Sequence, residues 1–275
     1  MNTNPLQKYY RQPKIFLSLP SKGSYYPENN IQGDPLNLPV YGMTGMDEIL
    51  FKTPDALFTG EAVVDVIKSC IPAITDPWSI PQTDIDSILI AIRIATYGEN
   101  MPFGFKCSKC EEENEVELYL PNTLDYFQSL TFVPSISIGD IEIYFKPLTY
   151  RDQTQIALQS YQLQKKLFNI SKEADEQEKT ENLNQATKEI NNIQYESFKK
   201  CLLGIEADGK LYTDQEIIDE WYTNTDRTYY KQIKDHLVET RNKWSLPDQI
   251  TACSECGHEN KIPVGFDNSN FFGDP

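Results

Sequence analysis

The sequence predicts an α+β fold that is predominantly helical, with a zinc ribbon formed by two distant C-x-x-C knuckles and a large helical insertion between them. The two segments that contain the knuckles, residues 107–118 and 253–264, align with one another without gaps. Several longer segments place apolar residues at the spacing of an amphipathic helix, and shorter ones alternate apolar and polar residues as half-buried strands do. These three patterns define the predicted domains, which follow in chain order.

Residues 1–42 are predicted to form an extended N-terminal arm. Prolines recur along this segment and prevent a long helix, while residues 15–19 alternate like a short strand. We expect the arm to pack against its own domain, and wrapping around a neighbouring subunit is the alternative. Its apolar anchors are four tyrosines, Tyr9, Tyr10, Tyr25 and Tyr26.

Residues 43–98 are predicted to form a helical domain. Thr44 can cap its first helix. The clearest helix spans residues 83–97, because Gly98 follows its last residue and suits a helix end. An apolar stripe along this helix is expected to be buried, and it comprises Ile85, Ile88, Leu89, Ile92 and Ala95.

The zinc ribbon is predicted to take two separate segments, residues 99–130 and 245–275. Each knuckle lies in a turn between a strand and a returning strand. A β-hairpin follows the first segment at residues 131–149, with its turn at Gly139 and Asp140. About half of the chain lies between the two knuckles. The ribbon is therefore predicted to be interrupted by a domain.

That inserted domain, residues 150–244, is predicted to be helical. Two long polar helices, at residues 150–170 and 182–203, are expected to form a protruding antiparallel hairpin across a charged connection. Shorter helices are predicted at residues 214–222 and 226–244.

The net charge of −16 limits the partners that the protein can have. Such a chain repels nucleic-acid phosphates and anionic membrane surfaces unless its few basic residues cluster. The most apolar stretch, residues 85–95, is short and contains Asp86 and Arg93, so a membrane span is not expected. The polar start of the chain predicts no secretory signal. Self-association into an oligomer is left open.

Four cysteines, Cys107, Cys110, Cys253 and Cys256, are the predicted ligands of a structural Zn²⁺ ion. A C-x-x-C turn directs two thiolates at one metal, and two such turns supply the tetrahedral set that zinc prefers. With four protein ligands there is no open position for water, so the metal is expected to be structural. The alternatives are two local redox dithiols or disulfides, and disulfides are disfavoured in a reducing cytoplasm.

Three other residues were weighed as ligands or reactive groups. His258 lies two residues after Cys256 and is an alternative ligand, although a solvated residue of the knuckle is favoured. Cys70 and Cys201 stand alone at helical positions and are predicted to be small core residues.

No enzymatic activity is predicted. The phosphate-binding, dinucleotide-binding, serine-hydrolase and zinc-protease motifs are missing, and the chain has only two histidines. Carboxylates are abundant but occur in runs such as residues 111–113, which are typical of a solvated face. The acidic surroundings of the knuckles also disfavour phosphate binding.

Four segments together resemble one family of proteins. They are Ile-Phe-Leu-Ser-Leu-Pro-Ser-Lys-Gly-Ser-Tyr-Tyr-Pro at residues 15–27, Val-Tyr-Gly-Met-Thr-Gly-Met-Asp-Glu-Ile-Leu-Phe-Lys-Thr-Pro-Asp-Ala-Leu at residues 40–57, Gly-Glu-Ala-Val-Val-Asp-Val-Ile-Lys-Ser-Cys at residues 60–70, and Arg-Ile-Ala-Thr-Tyr-Gly at residues 93–98. The set is similar to the baseplate hub family of T-even-like contractile-tailed bacteriophages, best over residues 13–120.

This resemblance implies a non-enzymatic protein of tail assembly that helps to build the central hub beneath the tail tube. Its implied partners are other baseplate hub proteins and the tape-measure protein. Its implied location is the tail baseplate of the virion, or the host cytoplasm during assembly. One alternative is a transient assembly chaperone that is absent from the mature virion. The second alternative is a zinc-ribbon regulator that binds nucleic acid.

Overall fold

The computed structural model describes residues 4–170 and 176–262, which divide into two compact units. The described part of the first unit comprises residues 4–77, 83–131 and 243–262. The second unit takes residues 78–82 and 132–242, so it is inserted into the first along the chain. Helices account for about half of the described residues, and antiparallel sheets are present in both units.

The segment predicted as an arm begins the first unit. A 3-10 helix, Pro5–Tyr9, precedes strand β1 (Pro13–Leu17), which pairs with β2 (Leu38–Tyr41) in an antiparallel ribbon. Leu17 and Leu38 are register partners and are completely buried. The apolar side of the ribbon thus belongs to the core of its own unit.

Polar contacts also fix the loop between β1 and β2. Asn30 accepts a hydrogen bond from the backbone N–H of Asp76 at 2.6 Å and donates one to its carbonyl at 3.1 Å. Ser21 and Tyr26 donate to the buried carboxylate of Asp84. These bonds hold the loop on residues more than forty positions further along the chain.

Four helices follow the ribbon: α1 (Gly45–Phe51), α2 (Pro54–Thr59), α3 (Glu61–Cys70) and α4 (Gln82–Tyr97). A second 3-10 helix, Pro77–Ser79, precedes α4. The predicted cap at Thr44 is confirmed, because Thr44 and Asp47 form a reciprocal capping box. The apolar stripe of α4 is buried as predicted.

The first unit is completed by two hairpins and a helix. Strands β3 (Asn100–Lys106) and β4 (Glu113–Tyr119) form the first hairpin, β9 (Gln249–Ala252) and β10 (Glu259–Ile262) form the second, and α5 spans Leu120–Ser129. Helix α5 was not predicted. Pro121 marks an end of the preceding strand in the sequence, but proline is also well accommodated in the first turn of a helix.

A four-stranded antiparallel sheet forms the centre of the second unit, in the order β5-β6-β7-β8. The predicted hairpin supplies β5 (Ser135–Ile138) and β6 (Ile141–Phe145). Strands β7 (Leu202–Ala207) and β8 (Lys210–Tyr212) were missed. The prediction of helix as far as residue 203 is therefore wrong.

The chain leaves the helix before β7 because its pattern changes there. Leu202 and Ile205 are buried in the core of the sheet. Asp208 and Gly209 then turn the chain with φ values of 52° and 73°. An Asp-Gly pair between strands favours a two-residue hairpin turn, which requires positive φ at both positions.

The helices of the second unit are α6 (Tyr150–Ile170), α7 (Glu176–Lys200), α8 (Gln215–Asn224) and α9 (Arg227–Lys243). Helices α6 and α7 pack on one another around Leu163, Ile170 and Ala186. The connection at residues 171–175 and the last part of the predicted ribbon, residues 263–275, lie outside the described residues. Over the two described ranges, no helix combines the length and apolar character that crossing a membrane requires.

Candidate metal centre

The structure brings the four predicted cysteines together. The Sγ atoms of Cys107 and Cys256 lie 3.8 Å apart, and those of Cys110 and Cys253 lie 3.6 Å apart. All four sulfurs lie within 4.8 Å of one another. Tetrahedral coordination with Zn–S bonds of about 2.3 Å places the sulfurs about 3.8 Å apart. The arrangement fits one metal ion, whereas a disulfide needs sulfurs about 2.0 Å apart. We call these four residues the cysteine centre.

The two knuckles have the same backbone geometry. In the first, the N–H of Cys107 donates to the Glu112 carbonyl at 2.8 Å, and the N–H of Glu111 donates to the Cys107 carbonyl at 3.0 Å. In the second, the N–H of Cys253 donates to the His258 carbonyl at 2.9 Å, and that of Gly257 to the Cys253 carbonyl at 3.0 Å. The aligned sequence repeat therefore produces an aligned structural repeat.

The residue after the second cysteine of each knuckle has a left-handed backbone. Glu111 has a φ of 62°, and Gly257 has a φ of 64°. Glycine adopts this conformation readily, while glutamate does so at some cost. In the first knuckle, Glu111 has this less favourable conformation within the turn that brings Cys107 and Cys110 together.

Two buried asparagines connect the knuckles to one another. Asn114 accepts hydrogen bonds from the backbone N–H and the hydroxyl of Ser254, at 2.8 and 2.9 Å. Asn260 accepts the equivalent bonds from Ser108, at 2.9 and 3.0 Å. Each asparagine belongs to one hairpin and bonds to the knuckle of the other. This exchange holds the two hairpins in register.

The same asparagines donate to cysteine sulfurs. The Nδ2 of Asn114 lies 3.5 Å from the Sγ of Cys253, and the Nδ2 of Asn260 lies 3.5 Å from the Sγ of Cys107. The two asparagines also occupy equivalent positions in the sequence repeat, each two residues before an apolar residue, Val116 or Ile262. This shared position was the signal that the sequence offered for them.

Backbone N–H groups favour the thiolate form of one cysteine in each knuckle. The N–H of Cys110, with further donors from Lys109 and Asn260, lowers the pKa of Cys107 to about 6. The N–H of Cys256, with donors from Glu255 and Asn114, lowers the pKa of Cys253. Such donors stabilise the negative charge of the sulfur, as a metal ligand requires.

The pKa of Cys110 changes in the opposite direction, because its thiol forms hydrogen bonds with neighbouring sulfurs. The N–H of Glu112 lowers its pKa, but hydrogen bonds with the sulfurs of Cys256 and Cys253 outweigh this and raise the pKa to about 12. Cys110 would lose this proton if the four sulfurs held a metal ion, because a coordinating thiol is deprotonated outright. Metal binding at the cysteine centre would therefore release protons.

The other candidate residues stay outside the cysteine centre. Among the described residues, the cluster of potential ligands contains the four cysteines and not His258, whose carbonyl instead accepts from Cys253 and Asn260. Cys70 and Cys201 are buried elsewhere, and burial raises the pKa of each to about 12. Their prediction as core residues is confirmed.

Replacing Asn114 by alanine is expected to weaken metal binding about 10- to 100-fold, which is the usual effect of losing an outer-shell partner. The variant loses the donor to Cys253 and the acceptor of the Ser254 N–H. Competition with a chromogenic chelator measures the affinity. Asn260→Ala should behave alike because of the repeat, and Glu113→Ala on the exposed face is the matched control. Unchanged affinity in both asparagine variants would contradict a role in the centre.

A family model described as T4 bacteriophage base plate protein matches residues 43–273. The match includes both knuckles and the whole inserted unit. No curated protein and no solved structure matches the chain.

Proposed function

The chain belongs to the T4 bacteriophage base plate protein family, and we propose that it is a non-enzymatic component of the baseplate hub that acts in hub and tail assembly through protein–protein contacts. The observation that carries this proposal is the family match across residues 43–273. It is supported by the resemblance of residues 13–120 to baseplate hub proteins, which was found in the sequence.

The proposed partners are other baseplate hub proteins and the tape-measure protein. The net charge of −16 supports protein partners over nucleic acid, since phosphates would be repelled. The proposed location is the tail baseplate of the virion, reached from the host cytoplasm during assembly. The proposal assigns no catalytic residue.

We also propose that the cysteine centre holds a structural Zn²⁺ ion. Four sulfurs that lie within 4.8 Å of one another suit zinc, and as a complete tetrahedral set they would leave no coordination position for a substrate. The ion would join two hairpins that are far apart in sequence. Its role would be to stabilise the first unit rather than to support chemistry.

The experiment that tests the hub proposal is quantitative mass spectrometry of purified virions, combined with affinity capture of the tagged protein from infected cells. We expect the protein in mature particles at a stoichiometry similar to that of other baseplate proteins, and we expect captured partners from the baseplate. Capture of those partners without the protein in mature particles would instead support a transient assembly chaperone. Salt-sensitive binding to DNA or RNA, with no baseplate partner captured, would support the alternative of a zinc-ribbon regulator that binds nucleic acid.

A further inference from the structure

The helical hairpin of the second unit, α6 with α7, has a small core. Its buried residues are Leu163, Ile170 and Ala186, and Leu167 and Ile193 pack against them partly buried. Two helices in contact bury one seam between them. The two sides of that seam stay open unless other residues cover them, so the chemistry of each side indicates what it can contact.

One side of the seam is polar. The groove on this side is lined in part by Gln159, Gln162, Lys166, Glu189 and Asn192. Lys166 of α6 and Glu189 of α7 form an ion pair across it at 2.9 Å. Side chains of this kind are well solvated, so this side, which we call the polar side, is stable in contact with water.

The other side of the seam is uncharged. Its groove has a volume of about 210 Å³, which is below the range of about 300–1,000 Å³ for small-molecule sites. None of the residues that border this groove carries a charge, and they are Ser160, Leu163, Gln164, Leu167, Ile190 and Ile193. The groove therefore suits uncharged side chains of another protein surface rather than a small ligand.

Large apolar side chains are exposed around the uncharged groove. Phe168, Leu183 and Ile190 are 61%, 39% and 45% exposed. Ile190 borders the groove, and Leu183 lies on the same stripe of α7, seven residues earlier. Phe168 lies one turn after Gln164, which also borders the groove, and Tyr161 lies two turns before Phe168, at the rim. We call the groove and these four residues the apolar face.

The hairpin has no net charge, although the chain as a whole has a net charge of −16. Residues 150–200 contain eight basic and eight acidic residues, so the excess negative charge lies elsewhere in the sequence. A nucleic acid or a strongly charged protein segment finds no row of opposite charges along the groove. A neutral apolar surface is complementary to another surface of the same kind, and each copy of this chain provides one.

The dimensions of the hairpin also favour a second copy. Two helices side by side are about 20 Å wide, and α6, with 21 residues, is about 30 Å long. A contact between two such faces covers about 600 Å² on each copy and about 1,200 Å² in total, which is the lower end of the range for stable interfaces. A single helix of a partner protein would cover about half of this area.

We propose that two copies of the chain associate through the apolar face, so that their α6–α7 hairpins form a four-helix bundle with two-fold symmetry. In such an isologous contact, the same surface of both copies is used. Phe168, Leu183 and Ile190 would enter the core of the bundle, while the polar side would remain in water. The proposal goes beyond the proposed function and does not rest on it.

The test is sedimentation equilibrium of the full-length, zinc-loaded protein at micromolar concentrations. We expect wild type to be a dimer. Phe168→Glu combined with Ile190→Glu should raise the dissociation constant about 100-fold or more, because each apolar side chain is lost twice in a symmetric contact. Gln162→Glu combined with Asn192→Glu is the matched control, since it adds the same charge to the polar side, and it should leave the dissociation constant unchanged.

A measurement on wild type alone keeps the test independent of how well the variants fold. Hydrogen exchange in residues 160–168 and 183–193 should slow as the protein concentration rises, because the dimer covers these segments. Exchange in strand β6, which lies in the sheet of the same unit, should stay constant. A concentration effect confined to other segments would mean that the copies meet elsewhere, and it would overturn the proposal.

The remaining outcomes identify other occupants of the apolar face. A monomeric wild type, or a dimer that Phe168→Glu with Ile190→Glu leaves intact, would overturn the proposal. If Phe271→Ser with Phe272→Ser turned a monomeric wild type into a dimer, residues 263–275 would be the occupant. If a monomeric wild type captured baseplate proteins that Phe168→Glu with Ile190→Glu did not, a partner protein would be the occupant. The hub proposal stands in each case, because virion composition tests it separately.

Discussion

Cys110→Ser, or removal of the metal by a chelator, is expected to destabilise the first unit by about 4–5 kcal/mol or more, a size of effect that is typical of losing a structural metal. The two hairpins provide little stability of their own, since an isolated two-stranded hairpin is marginal in water. Binding of structural zinc is worth about 10–16 kcal/mol in small finger peptides. Most of what holds β9 and β10 to β3 and β4 is therefore expected to come from the metal.

The loss should concern the hairpins first. Helices α3 and α4 bury apolar side chains such as Val66 and Ile88, and the second unit has its own core around Phe145 and Ile233. We expect hydrogen exchange at residues 249–262 to rise strongly after chelation, while α4 and β6 stay protected. Thermal unfolding, followed with and without chelator, gives the change in melting temperature.

Cys201→Ala is the matched control, because it removes a cysteine that lies outside the centre. It should leave one zinc ion per chain, measured by elemental analysis, while Cys110→Ser should lose it. An unchanged melting temperature after complete removal of zinc would contradict the structural role of the metal. If freshly purified wild-type protein contained no zinc, the proposal that the cysteine centre binds this metal would be wrong.

The clustering of the four cysteines was predictable because its signal is local and repeated. Each C-x-x-C turn with its flanking strands is specified by a short segment, and the match between the segments indicates that they meet. The exchange between Asn114 and Asn260 was not predictable, since it depends on how one hairpin faces the other. A single asparagine in a short strand does not indicate which group it will bond to until the facing hairpin is known.

Helix α6 was predictable for a similar reason, whereas the bounds of α7, predicted at residues 182–203 and observed at Glu176–Lys200, and the sheet of the second unit were not. Helix α6 has the predicted bounds, because its periodic pattern extends over many residues. Strand β7 follows α7 after a single residue, and its pairing with β6 joins residues about sixty positions apart. A four-residue apolar cluster at residues 202–205 fits the end of a helix as well as a strand. Only the Asp208-Gly209 turn favoured the strand.

The N-terminal segment shows how burial can depend on a distant partner. It was predicted to be an arm that packs against its own domain, and Leu17, Leu19, Leu38 and Val40 are indeed buried as completely as the apolar stripe of α4. The loop between these strands is tied by Asp84, which α4 supplies. A carboxylate in the first turn of a helix was explained well enough by the helix dipole. The burial of the Asp84 carboxylate under this loop could not be predicted from the sequence.

Asp84→Ala is expected to cost about 3 kcal/mol of unfolding free energy, because it leaves three donors of the half-buried Ser21 and Tyr26 without their acceptor. The carboxylate of Asp84 is completely buried. It accepts from the Ser21 N–H at 2.8 Å, from the Ser21 hydroxyl, and from the Tyr26 hydroxyl at 2.9 Å. Tyr26→Phe removes one of these donors and should cost about 1 kcal/mol. Chemical denaturation at neutral pH measures both.

The same carboxylate should leave a signature in the pH dependence of stability. Burial raises the pKa of Asp84 from its ordinary value of 3.8 to about 6, although the bonds from Ser21 and Tyr26 lower it. Between these two values the folded chain binds more protons at Asp84 than the unfolded chain does. The contribution of Asp84 is therefore most favourable below about pH 4, and it declines as pH rises to about 6.

Asp84→Asn isolates this effect, since asparagine keeps an acceptor and has no charge to titrate. The difference in unfolding free energy between wild type and Asp84→Asn should shift against wild type by up to about 3 kcal/mol between pH 4 and pH 6, and stay level above. A difference that does not depend on pH would mean that Asp84 titrates as an ordinary carboxyl, and that the loop from Ser21 to Tyr26 does not shield it from water.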